Sequence, residues 1–350
     1  MLALIPFSAP LLLFFLPYNL AFALLLCLLI AKLFFHIRFH LSKNASFLFL
    51  ICVFFCASTI GNRYDLIPSV FVLFSLIAAE KKSFLRSYIF LTAAALLKIY
   101  PLILFLPLFL AEQHIWKGKP FLFWKRYRLL GLSCAGFCIS LFAAYVLSGG
   151  NALSFIGFML TRPLQIESVS TSFLWILSLV HQFSFCITFS YGSFGILTTH
   201  ASSCVPLLSP SLPVIGVTTI AALTFVVGTI IAALRLYTKK WSIIQTAIAL
   251  LLLTLCTSKV LSPQYFIWLI PLVVWHNKSH AFWLSLWLLL LFLTAVIHPW
   301  LYRSLEGALN NPIHTSGEIL FFTVVLLRNL VLLAATIVWY CQPATIREPK

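Results

Sequence analysis

Long runs of apolar residues, separated by short polar stretches, occupy most of the chain. A run of about 20 apolar residues crosses the hydrocarbon core of a bilayer as an α-helix, because its backbone hydrogen bonds are then satisfied internally. The pattern therefore predicts an all-α, polytopic transmembrane protein that forms one integral membrane domain over residues 1–350. About ten to twelve apolar segments are expected, some short or re-entrant: Leu2–Leu16, Leu20–Phe35, Ser46–Ile60, Leu66–Ala79, Tyr88–Ala111, Leu129–Leu147, Ser172–Phe189, Pro213–Leu234, Ile243–Ser258, Tyr265–Trp275, Ala281–Ile297 and Ile319–Tyr340.

Two segments depart from a simple crossing. Tyr88–Ala111 is interrupted by a lysine and by Pro101, and proline breaks a helix interior. We therefore expect two short helices in a hairpin that turns near Tyr100. Ser172–Phe189 disturbs the alternation of the chain across the membrane. Either this segment starts and ends on the outer side, or the uncharged stretch Ser190–Leu212 is re-entrant.

Composition supports the membrane assignment and narrows the function classes. The chain is 62% hydrophobic and only 9% charged, whereas soluble domains carry about 25% charged residues. The formal net charge of +16 is explained by basic loops that face anionic lipid, so no nucleic-acid partner is predicted. The nine cysteines include no CxxC pair. The sequence therefore predicts neither a disulfide framework nor a metal site, and no cofactor is expected.

Lysine and arginine divide the loops into two groups. Basic residues gather in cytoplasmic loops of membrane proteins, which predicts a multi-pass protein of the cell membrane with the sparsely charged loops outside. The predicted cytoplasmic loops hold Arg38, Lys43, Lys81, Lys82, Arg86, Lys117, Lys119, Lys125, Arg126, Arg128, Arg235, Lys239, Lys240, Lys278, Arg347 and Lys350. The predicted outer loops hold Arg63, Asp65, Arg162, Glu167, Lys259, Arg303, Glu306 and Glu318.

Candidate functional residues lie on the predicted outer side, where an ionisable side chain in apolar surroundings is costly and usually functional. They occupy five short stretches: Arg63 and Asp65; Lys98 and Tyr100; Arg162, Gln165 and Glu167; Lys259, Ser262, Gln264 and Tyr265; and His298, Tyr302 and Arg303. The cations suit a phosphate-bearing lipid, because arginine offers paired donors and lysine a compact charge. The carboxylates could serve as a general base.

Each stretch also has a structural interpretation. Asp65 could cap a helix N-terminus, and Lys98 could extend to the membrane interface. Arg162 and Glu167 could form a surface ion pair, although such pairs contribute little to stability. The aromatic residues near Tyr265 could belong to the interfacial belt of a membrane protein.

Four of these stretches resemble a known family. The runs NRYDLIPSVFVLFSL, LLKIYPLILFLPLFL, RPLQIESVSTSFL and KVLSPQYFIWLIPL look like blocks of glycosyltransferase family 87. These are polyprenyl-phosphate-mannose-dependent mannosyltransferases with a GT-C fold. The blocks occur in the family's order and cover most of the chain from Asn62 onward.

The resemblance implies a function and roles for the matching residues. A sugar, with mannose as the first candidate, would move with inversion from a polyprenyl-phosphate donor to a hydroxyl of an extracytoplasmic glycolipid or glycan. Among the carboxylates of the predicted outer loops we expect Asp65 or Glu167 to act as the base, with His298 polarising the acceptor or contacting phosphate. The substrate-binding residues that the resemblance implies are Arg63, Lys98, Tyr100, Arg162, Gln165, Lys259, Ser262, Gln264 and Tyr265, and more loosely Tyr302. Arg303, from the same outer loop as Tyr302, is a further substrate-binding candidate. No metal is implied.

The chain departs from the family at its N-terminus. The family carries an acidic residue in the first external loop, whereas no Asp or Glu precedes Asp65 here. The expected first span and its loop have no counterpart in the sequence. A truncated or inactive relative that binds polyprenyl lipid without turnover is therefore one alternative. A lipid or solute transporter is the other, because it would also need polar residues inside the membrane.

Overall fold

The computed structural model describes residues 18–41, 43–60, 63–120, 123–180, 184–190, 192–199, 212–276, 281–305 and 316–342. The predicted segment Leu2–Leu16 lies outside these residues. In the described part of the chain the α-helices are α1 Tyr18–His40, α2 Lys43–Phe55, α3 Ala57–Ile60, α4 Leu66–Glu80, α5 Phe84–Leu97, α6 Phe105–Gln113, α7 Arg128–Leu147, α8 Ser154–Thr161, α9 Val169–Val180, α10 Leu212–Tyr237, α11 Ile243–Thr257, α12 Ile270–His276, α13 Ala281–Ala295 and α14 Ser316–Cys341.

Among the described residues, four helical stretches are long and apolar enough to cross a membrane: Arg128–Leu147, Pro213–Tyr237, Ala281–Arg303 and Glu318–Cys341. Shorter turns connect several helices. The 3₁₀ turns are Tyr100–Leu104, His114–Trp116, Trp124–Arg126, Asn151–Leu153, Pro263–Trp268 and Leu301–Leu305, and Val296–Trp300 forms a π-helical turn. The apolar pattern thus predicted the helical character of the chain.

The predicted helical hairpin around Tyr100 is confirmed. Helix α5 ends at Leu97, and the chain resumes as a 3₁₀ turn that contains Pro101 before α6 begins. The Tyr88 hydroxyl, near the start of α5, donates a hydrogen bond of 2.9 Å to Oε2 of Glu112, near the end of α6. Because these far ends meet, the two helices run antiparallel.

The prediction of a helix over Ser172–Phe189 is wrong in its second half. Helix α9 ends at Val180, and β2 (Ser184–Ser190) pairs antiparallel with β3 (Ser193–Thr199). A two-residue strand, β1 (Leu164–Gln165), pairs with the other edge of β3. The reason lies in the alternation of phenylalanine and isoleucine with small or polar residues along SFCITFS, which is the period of a strand. The all-α prediction therefore holds for the bundle but not for this sheet.

Helix α9 runs alongside only half of α14. The Ser172 hydroxyl accepts a 2.7 Å hydrogen bond from Asn329, which lies halfway along α14. Further on, Trp175 stacks on Phe322 at 5.8 Å. The two helices are therefore antiparallel, and α9 begins beside the centre of α14 and does not cross the bundle. This geometry matches the first of the two alternatives for Ser172–Phe189, a segment that leaves on the side from which the chain entered.

Several basic loops meet at one end of the bundle, which we call the basic end. The Arg235 guanidinium donates a hydrogen bond of 3.4 Å to the carbonyl of Gln342. The ring of His114 stacks on Tyr237 at 5.8 Å. Helices α4, α11 and α13 each have one terminus at or beside these loops, so their other termini lie at the opposite end. Arg63 and Asp65 precede α4 at this opposite end, Lys259 to Tyr265 follow α11, and His298 to Arg303 follow α13.

This arrangement gives a test of orientation. We expect a membrane-impermeant maleimide to label Arg303→Cys in intact cells, because the opposite end is predicted to face outward. Lys117→Cys, at the basic end, should react only after the membrane is permeabilised. The unsubstituted chain, which carries native cysteines, supplies the background. The reverse labelling pattern would contradict the orientation.

Candidate functional site

A buried ion pair links the start of α4 to the end of α5. The Asp65 side chain is fully buried, and its Oδ1 lies 3.1 Å from Nζ of Lys98. The same oxygen accepts a 2.8 Å hydrogen bond from the indole nitrogen of Trp268. Asp65 occupies the N-cap position of α4, as the structural interpretation predicted, but its side chain makes no hydrogen bond to the helix backbone. Its other oxygen, Oδ2, is buried without a hydrogen-bond partner.

Three aromatic rings stack beside this pair. The rings of Tyr100 and Tyr265 both stack on the indole of Trp268. The Tyr100 ring lies 3.9 Å from it, with 5° between the planes, and the Tyr265 ring lies 4.2 Å from it. The Lys98 ammonium lies 5.1 Å from the ring centroid of Tyr64. Tyr100 and Trp268 are buried, so these two residues do not form an interfacial belt. The stack fixes the orientation of the indole that holds Asp65.

Two cations, Arg63 and Arg162, lie near Tyr265, and a third, Lys259, lies near Arg162. Tyr265 interacts electrostatically with Arg162, Asp65 and Arg63. Burial lowers the pKa of the Arg162 guanidinium, and the positive charge of Arg63 adds to the decrease. Burial also lowers the pKa of Lys259, and Arg162 contributes in the same direction. We call Arg63, Asp65, Lys98, Tyr100, Arg162, Lys259, Tyr265 and Trp268 the polar cluster.

Backbone and side-chain bonds connect the loops that carry the polar cluster. The backbone N–H of Gln165 donates a 3.0 Å hydrogen bond to the carbonyl of Lys259. Arg162 donates a 2.6 Å hydrogen bond to the Ser193 hydroxyl at the start of β3, and its guanidinium lies 5.5 Å from the ring of Phe158. The small sheet therefore positions Arg162, which explains why a β-hairpin lies next to this end of the bundle.

Glu167 pairs with a residue that the sequence analysis did not single out. Its Oε2 forms a fully buried ion pair with Nη1 of Arg328. Its Oε1 accepts a hydrogen bond from the Tyr302 hydroxyl. The predicted surface ion pair between Arg162 and Glu167 is therefore wrong, because Glu167 is buried against α14.

Asn329 completes this second set of contacts. The Arg328 guanidinium also donates a 2.6 Å hydrogen bond to the Glu167 carbonyl and bonds to the Asn329 side chain. The Asn329 amide in turn donates to the backbone of Glu167 and Ser168 and to the Ser172 hydroxyl. A charged residue in the middle of the apolar run Ile319–Tyr340 was the available signal, since such a charge requires a partner.

The remaining candidates occupy different surroundings. The ring of His298 meets the edge of the Tyr302 ring at 5.4 Å, which places His298 next to the Glu167 contacts. Arg303 is exposed and lies 6.0 Å from the ring of Trp300; no described contact joins it to the polar cluster. Ser262 contributes its carbonyl, which accepts a 2.9 Å hydrogen bond from the N–H of Tyr265.

Several of the candidate residues carry buried polar atoms without a hydrogen-bond partner. Such atoms cost about 1–3 kcal/mol each, and they are typical of places that water or a ligand completes. Among the described residues they include Asp65 Oδ2, Tyr100 Oη, Arg162 Nε, Gln165 Oε1, Gln264 Oε1 and His298 Nδ1. No three His, Cys, Asp or Glu side chains of the described chain are close enough together to hold a metal ion.

Comparison of the chain with models of protein families, with curated proteins and with solved structures found no match. The fold and the site define the chain at a coarser level. Its described residues form a largely helical protein with four stretches that are long and apolar enough to cross a membrane. A charged and aromatic cluster lies at the end of the bundle opposite the basic loops.

The buried pair of Glu167 and Arg328 leads to a stability prediction. Glu167→Gln would leave the Arg328 charge buried without its counter-ion, which typically costs about 3–5 kcal/mol. We expect the free energy of unfolding of the purified chain in detergent to fall by about that amount.

Two further variants make this test specific. The double variant Glu167→Gln/Arg328→Gln should recover part of the loss, because no lone charge remains buried. Ser178→Ala, at a half-buried position on the helix α9 that follows Glu167, should change the unfolding free energy by less than about 1 kcal/mol. Equal stability of Glu167→Gln and the unsubstituted chain would show that the pair is not formed.

Proposed function

We propose that the chain is a membrane glycosyltransferase that moves a sugar, with mannose as the first candidate, from a polyprenyl-phosphate donor to a hydroxyl of an extracytoplasmic glycolipid or glycan. The observation that carries the proposal is the polar cluster, in which cations, a buried carboxylate and stacked aromatic rings occur together. All eight of its members belong to the four stretches that resemble glycosyltransferase family 87.

The cations of the cluster suit the donor phosphate. Arg63, Arg162 and Lys259 lie within electrostatic range of one another or of Tyr265. Arginine and lysine bind phosphate oxygens through charge-assisted hydrogen bonds. When the sugar departs from the phosphate, negative charge grows on the phosphate oxygen, and fixed cations stabilise that charge. Both the binding and the departure of the lipid phosphate thus have a structural basis.

The unpaired amide oxygens suit the sugar. Oε1 of Gln165 and Oε1 of Gln264 are buried without partners, and an amide oxygen accepts hydrogen bonds from hydroxyl groups. We assign these two oxygens to sugar hydroxyls. Nδ1 of His298 is also buried without a partner. By the same argument we assign His298 to a contact with the acceptor or with phosphate.

Asp65 suits the role of base better than Glu167. Both carboxylate oxygens of Glu167 already bind Tyr302 or Arg328, whereas Oδ2 of Asp65 has no partner. In the proposed reaction the acceptor hydroxyl attacks the anomeric carbon as its proton passes to Oδ2 of Asp65. The bond between the anomeric carbon and the phosphate oxygen breaks, and polyprenyl phosphate leaves with that electron pair. We assign Glu167 to positioning Tyr302 and Arg328.

One observation favours the alternative of a relative that binds lipid without turnover. Lys98 and Trp268 both occupy Oδ1 of Asp65, so half of the carboxylate is committed to holding the fold. If Oδ2 only accepts a hydrogen bond from a sugar hydroxyl of the donor, the cluster would bind the donor without transferring its sugar. The transfer assay separates these two functions.

For the base, we expect Asp65→Asn to reduce sugar transfer by about 10²–10⁴-fold, the range of general base catalysis. Membranes that contain the full chain would receive radiolabelled polyprenyl-phosphate-mannose, and labelled glycolipid would be measured. Glu80→Gln, a carboxylate at the basic end, is the matched control and should leave transfer unchanged.

The outcomes of this assay distinguish the candidate functions. Transfer within tenfold of the unsubstituted chain by a folded Asp65→Asn variant would exclude Asp65 as the base. Saturable donor binding with no labelled product, by the unsubstituted chain, would favour the lipid-binding relative. Movement of the intact donor between leaflets, with no new covalent product, would favour a transporter.

For the phosphate contacts, we expect Lys259→Gln to raise the KM for the donor by about tenfold or more, since a hydrogen bond to a charged group contributes about 1.5–3 kcal/mol. The effect should weaken at high salt, because ions screen exposed charges. Lys240→Gln, a lysine at the basic end, is the control. An unchanged KM for Lys259→Gln would contradict the assignment.

A further inference from the structure

A groove separates helices α1 and α4. Its cavity has a volume of about 160 Å³. The lining residues recur at intervals of three and four positions on both helices, so each helix presents one face to the groove. These residues are Leu29, Lys32, Leu33 and His36 on α1, and Ile67, Val70, Phe71 and Phe74 on α4.

The aromatic contacts of His36 set the direction of the groove. The His36 ring lies 6.0 Å from that of Phe74 and stacks on Trp275 at 5.7 Å. Because the last lining residue of α1 meets the last lining residue of α4, the two helices run parallel along the groove. Its end at Ile67 is two residues from Asp65, and its end at Phe74 points toward the basic end.

Lys32 is the charge in this otherwise apolar groove. Its side chain is exposed, and neither ion pair of the described residues involves it. Helix α1 ends at His40, about 12 Å beyond Lys32 along the helix axis. The Cα–Cβ bonds of a helix tilt toward its N-terminus, so the Lys32 side chain starts away from the basic end. A lysine in such a position needs an anionic or aqueous partner.

We propose that this groove binds an anionic phospholipid of the surrounding bilayer, with the phosphate at Lys32 and His36 and an acyl chain along the apolar walls. Charge complementarity carries the choice of occupant. Lys32 supplies a positive charge beside the apolar walls of the groove, and basic residues near the membrane surface attract anionic lipid. The cavity equals about five water volumes of ~30 Å³ each, enough for a phosphate group or part of an acyl chain. This site is independent of the proposed transferase activity.

The test measures the thermal stability of the full chain reconstituted in phosphatidylcholine nanodiscs with an increasing fraction of phosphatidylglycerol. A ligand that binds only the folded state raises Tm as its concentration increases. We expect Tm to rise with phosphatidylglycerol, and the concentration dependence gives an apparent affinity. Lys32→Gln should weaken that affinity by about tenfold or more, because a charge-assisted hydrogen bond is lost.

Two variants isolate the groove from general surface charge. Arg38→Gln removes an exposed cation of α1 that does not line the groove, and it should leave the dependence on phosphatidylglycerol nearly unchanged. Leu29→Trp fills the groove and leaves Lys32 in place, so it should weaken the dependence as Lys32→Gln does. This second variant keeps the test decisive if Lys32→Gln does not fold.

Three results would overturn the proposal. The first is an unchanged Tm of the unsubstituted chain as phosphatidylglycerol increases. The second is an equal loss of affinity in Arg38→Gln and Lys32→Gln, which would indicate a diffuse basic surface. The third is stabilisation by polyprenyl phosphate but not by phosphatidylglycerol, which would assign the groove to the donor class of lipid. None of these outcomes depends on sugar transfer.

Discussion

The burial of opposite charges inside an apolar bundle is the constraint on which the rest of the site depends. Arg328 lies at the centre of α14 and is fully buried, so it must meet a buried counter-ion. Glu167 supplies that counter-ion from the turn before α9, and Tyr302 approaches the same carboxylate from the turns after α13. One interaction therefore joins three distant parts of the chain and places Gln165 and Arg162 on the adjoining loop.

The two buried carboxylates divide structural and chemical roles between them. Glu167 has a partner on each oxygen, and its surroundings are complete without a ligand. Asp65 is held on one oxygen by Lys98 and Trp268, and its other oxygen has no partner. Because an unpaired buried oxygen is costly, this asymmetry concentrates the unsatisfied bonding capacity at Asp65.

Short helices border the polar cluster. Helices α4 and α11 have 15 residues each, which corresponds to about 22 Å, whereas the hydrocarbon core of a bilayer is about 30 Å thick. Helix α14 has 26 residues. Lys98, Arg162 and Lys259 are half-buried, and charges in surroundings of lower polarity than water interact more strongly than charges at an open surface.

Local sequence determined the apolar segments, the start of α4 after Asp65 and the helix break at Pro101, because hydrophobicity and proline geometry act over neighbouring residues. The alternation of apolar with small or polar residues along Ser184–Ser190 is also a local signal of a strand. It was missed because the segment was assigned from its hydrophobicity alone. Tertiary structure decided the partners of the charges. Glu167 could have met the nearby Arg162, yet it pairs with Arg328, 161 positions away. Packing of α9 against α14 decides that contact, since a buried charge pairs with whichever counter-ion the fold brings within reach.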